Sequence, residues 1–323
     1  MATPWRRRIP IGLGALLVAA SACGDAGGGG GDDDDVAAVD AASVDAAGAD
    51  ATGGVDGSAC GALPAPDPDW IQAYEEEVVA KLSGAMEIAP DLTLTDRKSV
   101  AARNATRAYL IDELTAMGYA ATEQPYDFTP VGANAIATLS ADIGGGGPGV
   151  IVIGAHFDGV AGAPAAADDG TGVALVLAVA RWLRTVGCRD RDVIIALFDQ
   201  EEVGLAGSHR FVDAELAAGV VIDEMHNFDM ISWDEDDDRG IELWSPAPTL
   251  LAAYQAAGHD RGVGVVDFDF EFSDHQSFLD RGLVAVGVSE KFNGGDSTPY
   301  YHTADDTYDK IDFPYLASAT AVA

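Results

Sequence analysis

From Asp67 onward the chain alternates two kinds of apolar spacing. Residues 69–83 and 95–117 repeat apolar positions at helical spacing, and Gly118 closes the second run. Residues 132–141 read as a strand, and Gly144 to Pro148 as a turn. Residues 149–155 are continuously apolar, the pattern of a strand covered on both faces. Residues 170–186 predict a helix with Val173, Leu175, Val176, Val179, Ala180 and Leu183 inward. Further buried strands are expected at 192–198, at the end of 220–231, and at 283–289. Helices between buried apolar strands imply an α/β three-layer sandwich, its central sheet mixed but mostly parallel. Pro314 comes close to the end of the sequence, so the last helix is expected to be short.

The N-terminal 63 residues follow another rule. Arg6, Arg7 and Arg8 precede an apolar stretch at 9–19, then Ala20, Ser21, Ala22 and Cys23. This is the layout of an export signal, too short to span a membrane as a helix. The cysteine after small residues resembles a bacterial lipobox, which implies lipidation at Cys23 and a mature chain starting there. Gly24 then points to the outer membrane as the address, with plain secretion as the alternative. Residues 24–63 hold nine Asp, five consecutive Gly, and no Lys or Arg. Such a segment buries too little surface to order itself and reads as a self-repelling tether. One domain is expected at 64–323.

Composition narrows the partners. Lys+Arg number 18 against 53 Asp+Glu, a net charge of −35. A chain so acidic is repelled by phosphate backbones, which argues against nucleic acid as a partner. Three cysteines are too few for a disulfide-dense scaffold or a four-cysteine zinc site. An exported context permits a disulfide between Cys60 and Cys188.

Ligands of such sheets sit at the carboxyl ends of the strands. There the sequence places His156 and Asp158, then Asp199, Glu201 and Glu202, then Asp229; Asp168 and Asp169 precede the helix, and Tyr301-His302 follow the last strand. Gathered carboxylates repel unless a cation sits among them. Imidazole and carboxylate donors without thiolates suit zinc. Two His and three carboxylates exceed one open four-coordinate site and suit two metals about 3.5–4 Å apart sharing a carboxylate. A further carboxylate that is not a ligand would then take a proton from water. His209, His226 and His259 fall outside this pattern, and Asp234 to Asp238 read as a solvated loop.

GAHFD, AADDGTG, FDQEEVGLAGS, FDM, SDHQSF and YHTADDT occur in this order. Over roughly residues 70–320 the chain resembles the secreted bacterial di-zinc aminopeptidases, metallopeptidases with a phosphorylase/hydrolase-like α/β sandwich. The resemblance implies two Zn²⁺ bridged by Asp168, with Glu202 and His302 on one metal and His156 and Asp229 on the other. It implies Glu201 as general base and later acid, and Tyr301 as a stabiliser of the tetrahedral intermediate. Asp158 resembles the carboxylate that orients the first imidazole, and Asp169 the partner in a non-proline cis peptide. The expected activity is removal of N-terminal residues from peptides or proteins with a free amino end, the membrane being met only through the lipid anchor. A carboxypeptidase or glutaminyl cyclase on the same fold, and an inactive surface-binding protein, are the competing expectations. Arg239, Arg261, Arg281 and Lys291 are late basic residues that could grip a substrate carboxylate. Ser273-Asp274-His275 is too contiguous for a catalytic triad.

Overall fold

Continuous apolar runs end up in the middle of a sheet, where both faces are covered. The computed structural model describes residues 67–143 and 149–323, all within one unit, Thr52–Ala323. The export signal, Cys23, the tether, Cys60 and the 144–148 turn lie outside the described residues. Eight strands form one sheet: β1 (Thr122–Tyr126), β2 (Gly132–Leu139), β3 (Val150–His156), β4 (Asp192–Phe198), β5 (Ile222–Phe228), β6 (Ile241–Trp244), β7 (Val265–Phe268) and β8 (Ala285–Glu290). Their spatial order is β1-β2-β4-β3-β5-β8-β6-β7. The central pairs β4/β3, β3/β5 and β5/β8 are parallel, as is β6/β7; β1/β2, β2/β4 and β8/β6 are antiparallel. The sheet is therefore mixed and mostly parallel at its centre, as the apolar runs imply.

Alternation along the strands builds two cores. On β4, Val193, Ile195 and Leu197 face one layer, while Ile194, Ala196 and Phe198 face the other. The first layer holds α1 (Pro68–Leu82), α2 (Val100–Ala116), α3 (Gly172–Leu183), α5 (Pro248–Arg261) and α7 (Phe313–Val322). The second holds α4 (Ala206–Ala217) and α6 (His275–Leu279). Ser99 caps α2 by accepting from Ala102 N at 3.1 Å, so the expected helix at 95–117 starts later and leaves 95–98 as loop. The expected helix at 170–186 also starts later. Residues Ala166–Thr171 form an irregular turn in which Asp168 and Asp169 have non-helical dihedrals. Gly172 is required at the start of α3, because a Cβ there would lie 2.3 Å from Phe228 O. No helix among the described residues is long and apolar enough to cross a membrane.

Glu75 of α1 is fully buried against α7. Thr320 Oγ1 donates to its Oε1, and Oε2 has no partner. Burial pushes its pKa from 4.5 up to about 8. The neutral acid therefore contributes stability that is complete below the unfolded value and is lost as pH rises through the folded value. Glu75→Gln should raise stability at about pH 8 by on the order of 3 kcal/mol and change it little near pH 4. Urea unfolding of both proteins across that range checks this; parallel pH profiles would refute it.

Candidate metal centre

The loops at the carboxyl ends of β3, β4 and β5 converge on one cleft. His156 is the last residue of β3, and Asp229 follows β5 directly. Glu201 and Glu202 open the short turn Glu201–Val203 after β4. Asp168 comes from the irregular turn before α3, and Tyr301-His302 from the loop before α7. His156, Asp168, Glu201, Asp229, Tyr301 and His302 line the cleft together with an aromatic wall that includes Trp244, Phe270, Phe272 and Phe292.

Asp168 faces two ways. Its Oδ1 lies 3.1 Å from His156 Nε2, and its Oδ2 lies 3.0 Å from His302 Nε2. At the first pole Asp229 Oδ1 is 3.7 Å from His156 Nε2. At the second, Glu202 Oε2 is 2.9 Å from His302 Nε2. The buried atoms Asp168 Oδ2, Glu202 Oε1 and Asp229 Oδ1 accept no hydrogen bond. Buried acceptors left without donors, beside imidazole nitrogens, are the surroundings of a cation. The donor set is nitrogen and carboxylate oxygen throughout, which fits zinc.

In the cleft the donors form two groups, each with its ligand atoms within 4.8 Å of one another: Asp168, Glu202 and His302, and His156, Asp169 and Asp229. In the second group Asp168 is the better donor than Asp169. Both Asp169 oxygens are already taken, Oδ1 by Gly172 N (2.9 Å) and Met230 N (3.2 Å), and Oδ2 by His156 N (3.2 Å). Asp169 thus ties β3, β5 and the start of α3 together, and its peptide bond to Asp168 is cis. Asp158 sits 3.4 Å from His156 Nδ1 and accepts from Glu201 N at 2.9 Å. It holds the Glu201 main chain and lies beside the imidazole ring.

Charge balance points the same way. Burial disfavours the charged His156 ring, yet Glu201, Asp158, Asp168 and Asp229 more than offset this and hold its pKa well up. Burial opposes ionisation of Asp168, but the two imidazoles hold its carboxyl below the usual range. Burial and Asp168 push Glu202 up to about 7, and burial pushes Glu201 well up. Carboxylates outnumber the positive groups available to them.

The sequence pattern did not single out four structural supports. Ser273 Oγ donates to Asp229 Oδ2 at 2.6 Å and accepts from Asn227 Nδ2 at 2.8 Å. Buried Arg103 on α2 pairs with Asp199 at 2.8 Å, anchoring the end of β4 just before Glu201. Arg97 and Asp306 grip the loop that carries Asp168. SDHQSF and YHTADDT contain Ser273 and Asp306, but nothing local marks the arginines. The remaining histidines stay out of the site. His226 Nδ1 meets Tyr254 Oη at 2.9 Å, His209 Nδ1 lies 3.0 Å from Arg281, and His259 is exposed on α5. Ser273, Asp274 and His275 form no triad, since His275 Nε2 bonds Phe270 O and Ser273 turns to Asp229. The acidic loop is more than solvated: Lys291 Nζ pairs with Asp236 at 2.9 Å and Asp238 at 2.8 Å.

A sheet with paired imidazole and carboxylate clusters at its strand ends defines a metal-dependent hydrolase class. The chain belongs to peptidase family M28, whose model matches residues 134–323. It is 29% identical over 186 residues to aminopeptidase YwaD of Bacillus subtilis, covering 53% of this chain and 39% of that protein. It is 28% identical over 202 residues to the probable lipoprotein aminopeptidase LpqL of Mycobacterium tuberculosis, covering 52% and 40%. The chain thus spans well under two thirds of the length of these relatives. Among solved structures, the zinc aminopeptidase BSAP from Bacillus subtilis matches with a TM-score of 0.68 at 14% identity, over 81% of this chain and 94% of that one. Porphyromonas gingivalis glutaminyl cyclase matches with a TM-score of 0.64 at 20% identity, over 78% and 95%. Both likenesses establish the fold.

Proposed function

We propose that the chain is a two-zinc exopeptidase that removes amino-terminal residues from peptides. The observation that carries this is Asp168, whose two oxygens serve two separate imidazole–carboxylate poles. His156 and Asp229 would hold one zinc, Glu202 and His302 the other, with Asp168 shared. Bound there, zinc would supply Lewis acidity to the scissile carbonyl and lower the pKa of water. Glu201, in the same cleft, takes a proton from the attacking water and returns it to the departing amine as the C–N bond breaks. The Tyr301 ring stacks on His302 with centroids 3.8 Å apart, which holds its hydroxyl at the cleft as a donor to the developing oxyanion. The chain's net charge of −35 suits the approach of the cationic amino end of a peptide.

Among the described residues, the cleft lining contains no Arg or Lys to grip a carboxyl terminus. Lys291 is bound to Asp236 and Asp238, and Arg281 to Asp213 at 2.7 Å. This favours the amino end over the carboxypeptidase reading. The test is an unblocked peptide incubated with purified protein and zinc, the products read by mass spectrometry. Stepwise loss from the amino end, stopped by a chelator, is expected. Cyclised N-terminal glutamine without chain shortening would support the cyclase reading instead.

We also propose export and lipid anchoring through Cys23, with residues 24–63 as tether to a catalytic domain at 64–323. The signal layout supports this, and so does Cys188, which is disulfide-bonded as expected in an oxidising compartment. Cys23→Ser should move the protein from the membrane fraction to the soluble fraction of an expressing bacterium. An unchanged distribution would argue against the anchor.

A further inference from the structure

We propose that Arg97 and Asp306 are positioning residues of opposite charge that clamp the main chain of the 157–168 loop and so set zinc affinity at both poles. The inference rests on the reading of Asp168 as the shared ligand.

Arg97 is 0% exposed, an unusual place for a guanidinium. All four of its hydrogen bonds go to main-chain carbonyls. Nε donates to Phe157 O at 2.7 Å, and Nη2 to Ala165 O at 2.8 Å. Nη1 donates to Pro164 O at 3.2 Å and to Leu82 O, at the end of α1, at 3.0 Å. One rigid side chain therefore pins the beginning and end of the loop between His156 and Asp168, and ties both to α1. A planar fork with five donors can do this; an ammonium cannot reach all four carbonyls. Burial works against the charge, while Asp306, Asp169, Asp168 and Asp158 favour it.

Asp306 grips the next stretch from the opposite side of the peptide units. Its Oδ1 accepts from Ala167 N at 2.7 Å, its Oδ2 from Asp168 N at 3.2 Å, and its main-chain oxygen from Ala166 N at 3.3 Å. Asp306 is itself buried and lies four residues beyond His302. The shared Asp168 is thereby locked to the loop that carries a ligand of the second pole. Arg97 takes the carbonyls and Asp306 the N–H groups, and between them Ala165 turns through φ 59, a conformation its side chain does not favour. Loosening either grip lets the Asp168 carboxylate drift from both imidazoles, so both zinc sites should suffer together.

The experiment is zinc titration of the metal-depleted full chain against a competing chelator, for wild type, Arg97→Met, Arg97→Lys, Asp306→Asn and the double variant. Arg97→Met and Asp306→Asn should each weaken zinc binding about 10–100-fold, the range seen when partners behind metal ligands are removed. Arg97→Lys should recover part of the loss. The double variant should lose less than the product of the two singles, because both act on one loop. Leu110→Ala, on the core face of α2, is the control for general destabilisation and should leave zinc affinity intact. Zinc binding at wild-type strength in the single variants would overturn the proposal, as would an equal loss in the control. Amide exchange on metal-free protein gives a second readout that needs no metal. The Ala167 and Asp168 amides should exchange faster in Arg97→Met and Asp306→Asn while α2 is unchanged; unchanged protection overturns the clamp even if wild type binds no zinc, a result that would separately sink the metal reading. Asp306→Asn keeps one acceptor oxygen and so carries the test if Arg97→Met fails to fold.

Discussion

Glu201→Gln should lower kcat for peptide hydrolysis by about 10²–10⁴-fold, the span of positioned acid–base catalysis. The substitution is nearly isosteric. Glu201 N is held by Asp158 at 2.9 Å, so the main chain stays where it is. What disappears is an oxygen able to take and return a proton. Glu201 is not among the donors gathered at either pole, so zinc content should match wild type and KM should change little. A drop in kcat with unchanged KM marks an interaction used in the transition state and not in binding. Steady-state kinetics with metal analysis on the same sample checks all three. Near-normal turnover would remove Glu201 from the proton-transfer role; lost zinc would make it a ligand.

Asp168→Asn should have the second large effect, and it should appear at both poles. An amide keeps one oxygen but replaces the other with NH₂, a donor where an acceptor is needed. Removing partners behind a ligand already costs about 10–100-fold in metal affinity, so altering the ligand itself should cost more. Zinc content after dialysis should fall below one per chain, and hydrolysis should vanish with it. Zinc normally stabilises the fold by mass action, about 2.7 kcal/mol at a hundredfold excess over Kd. The variant should lose that gain. Its metal-free form should also be somewhat less stable than metal-free wild type, since the two imidazoles that hold the Asp168 carboxyl below its usual range lose their charged partner. Calorimetric melting with and without zinc measures this. One zinc retained at full strength would show that the two poles do not share Asp168.

The parts of the site most legible in the sequence are those next to buried strands. His156 ends β3, and Glu201-Glu202 come three and four residues after the end of β4. A strand buried on both faces leaves a continuous apolar run, and polar residues stop that run where the strand leaves the core. Polar side chains at such ends are therefore conspicuous. β1, β6 and β7 leave weaker traces. β1 and β7 are the edges of the sheet, short and largely exposed, and β1 carries Pro125, which an edge strand tolerates. Apolar spacing predicts a helix from 170 and leaves no trace of the irregular turn at 166–171. The N–H groups of Ala167 and Asp168 go to Asp306 instead of a helical carbonyl, a contact separated by well over a hundred residues.

By itself the sequence determined the layered α/β class, the strands that carry the site, and the acidic and imidazole groups available for a cation. Periodicity and residue type encode those locally. Only the tertiary structure decided that Asp169 is occupied by main-chain donors, and that Ser273, Arg97 and Asp306 hold the ligands in place. Those facts depend on which long-range neighbours complete each buried hydrogen bond. A buried polar group must find a partner wherever the fold brings one, and nothing in the spacing along the chain says where that is.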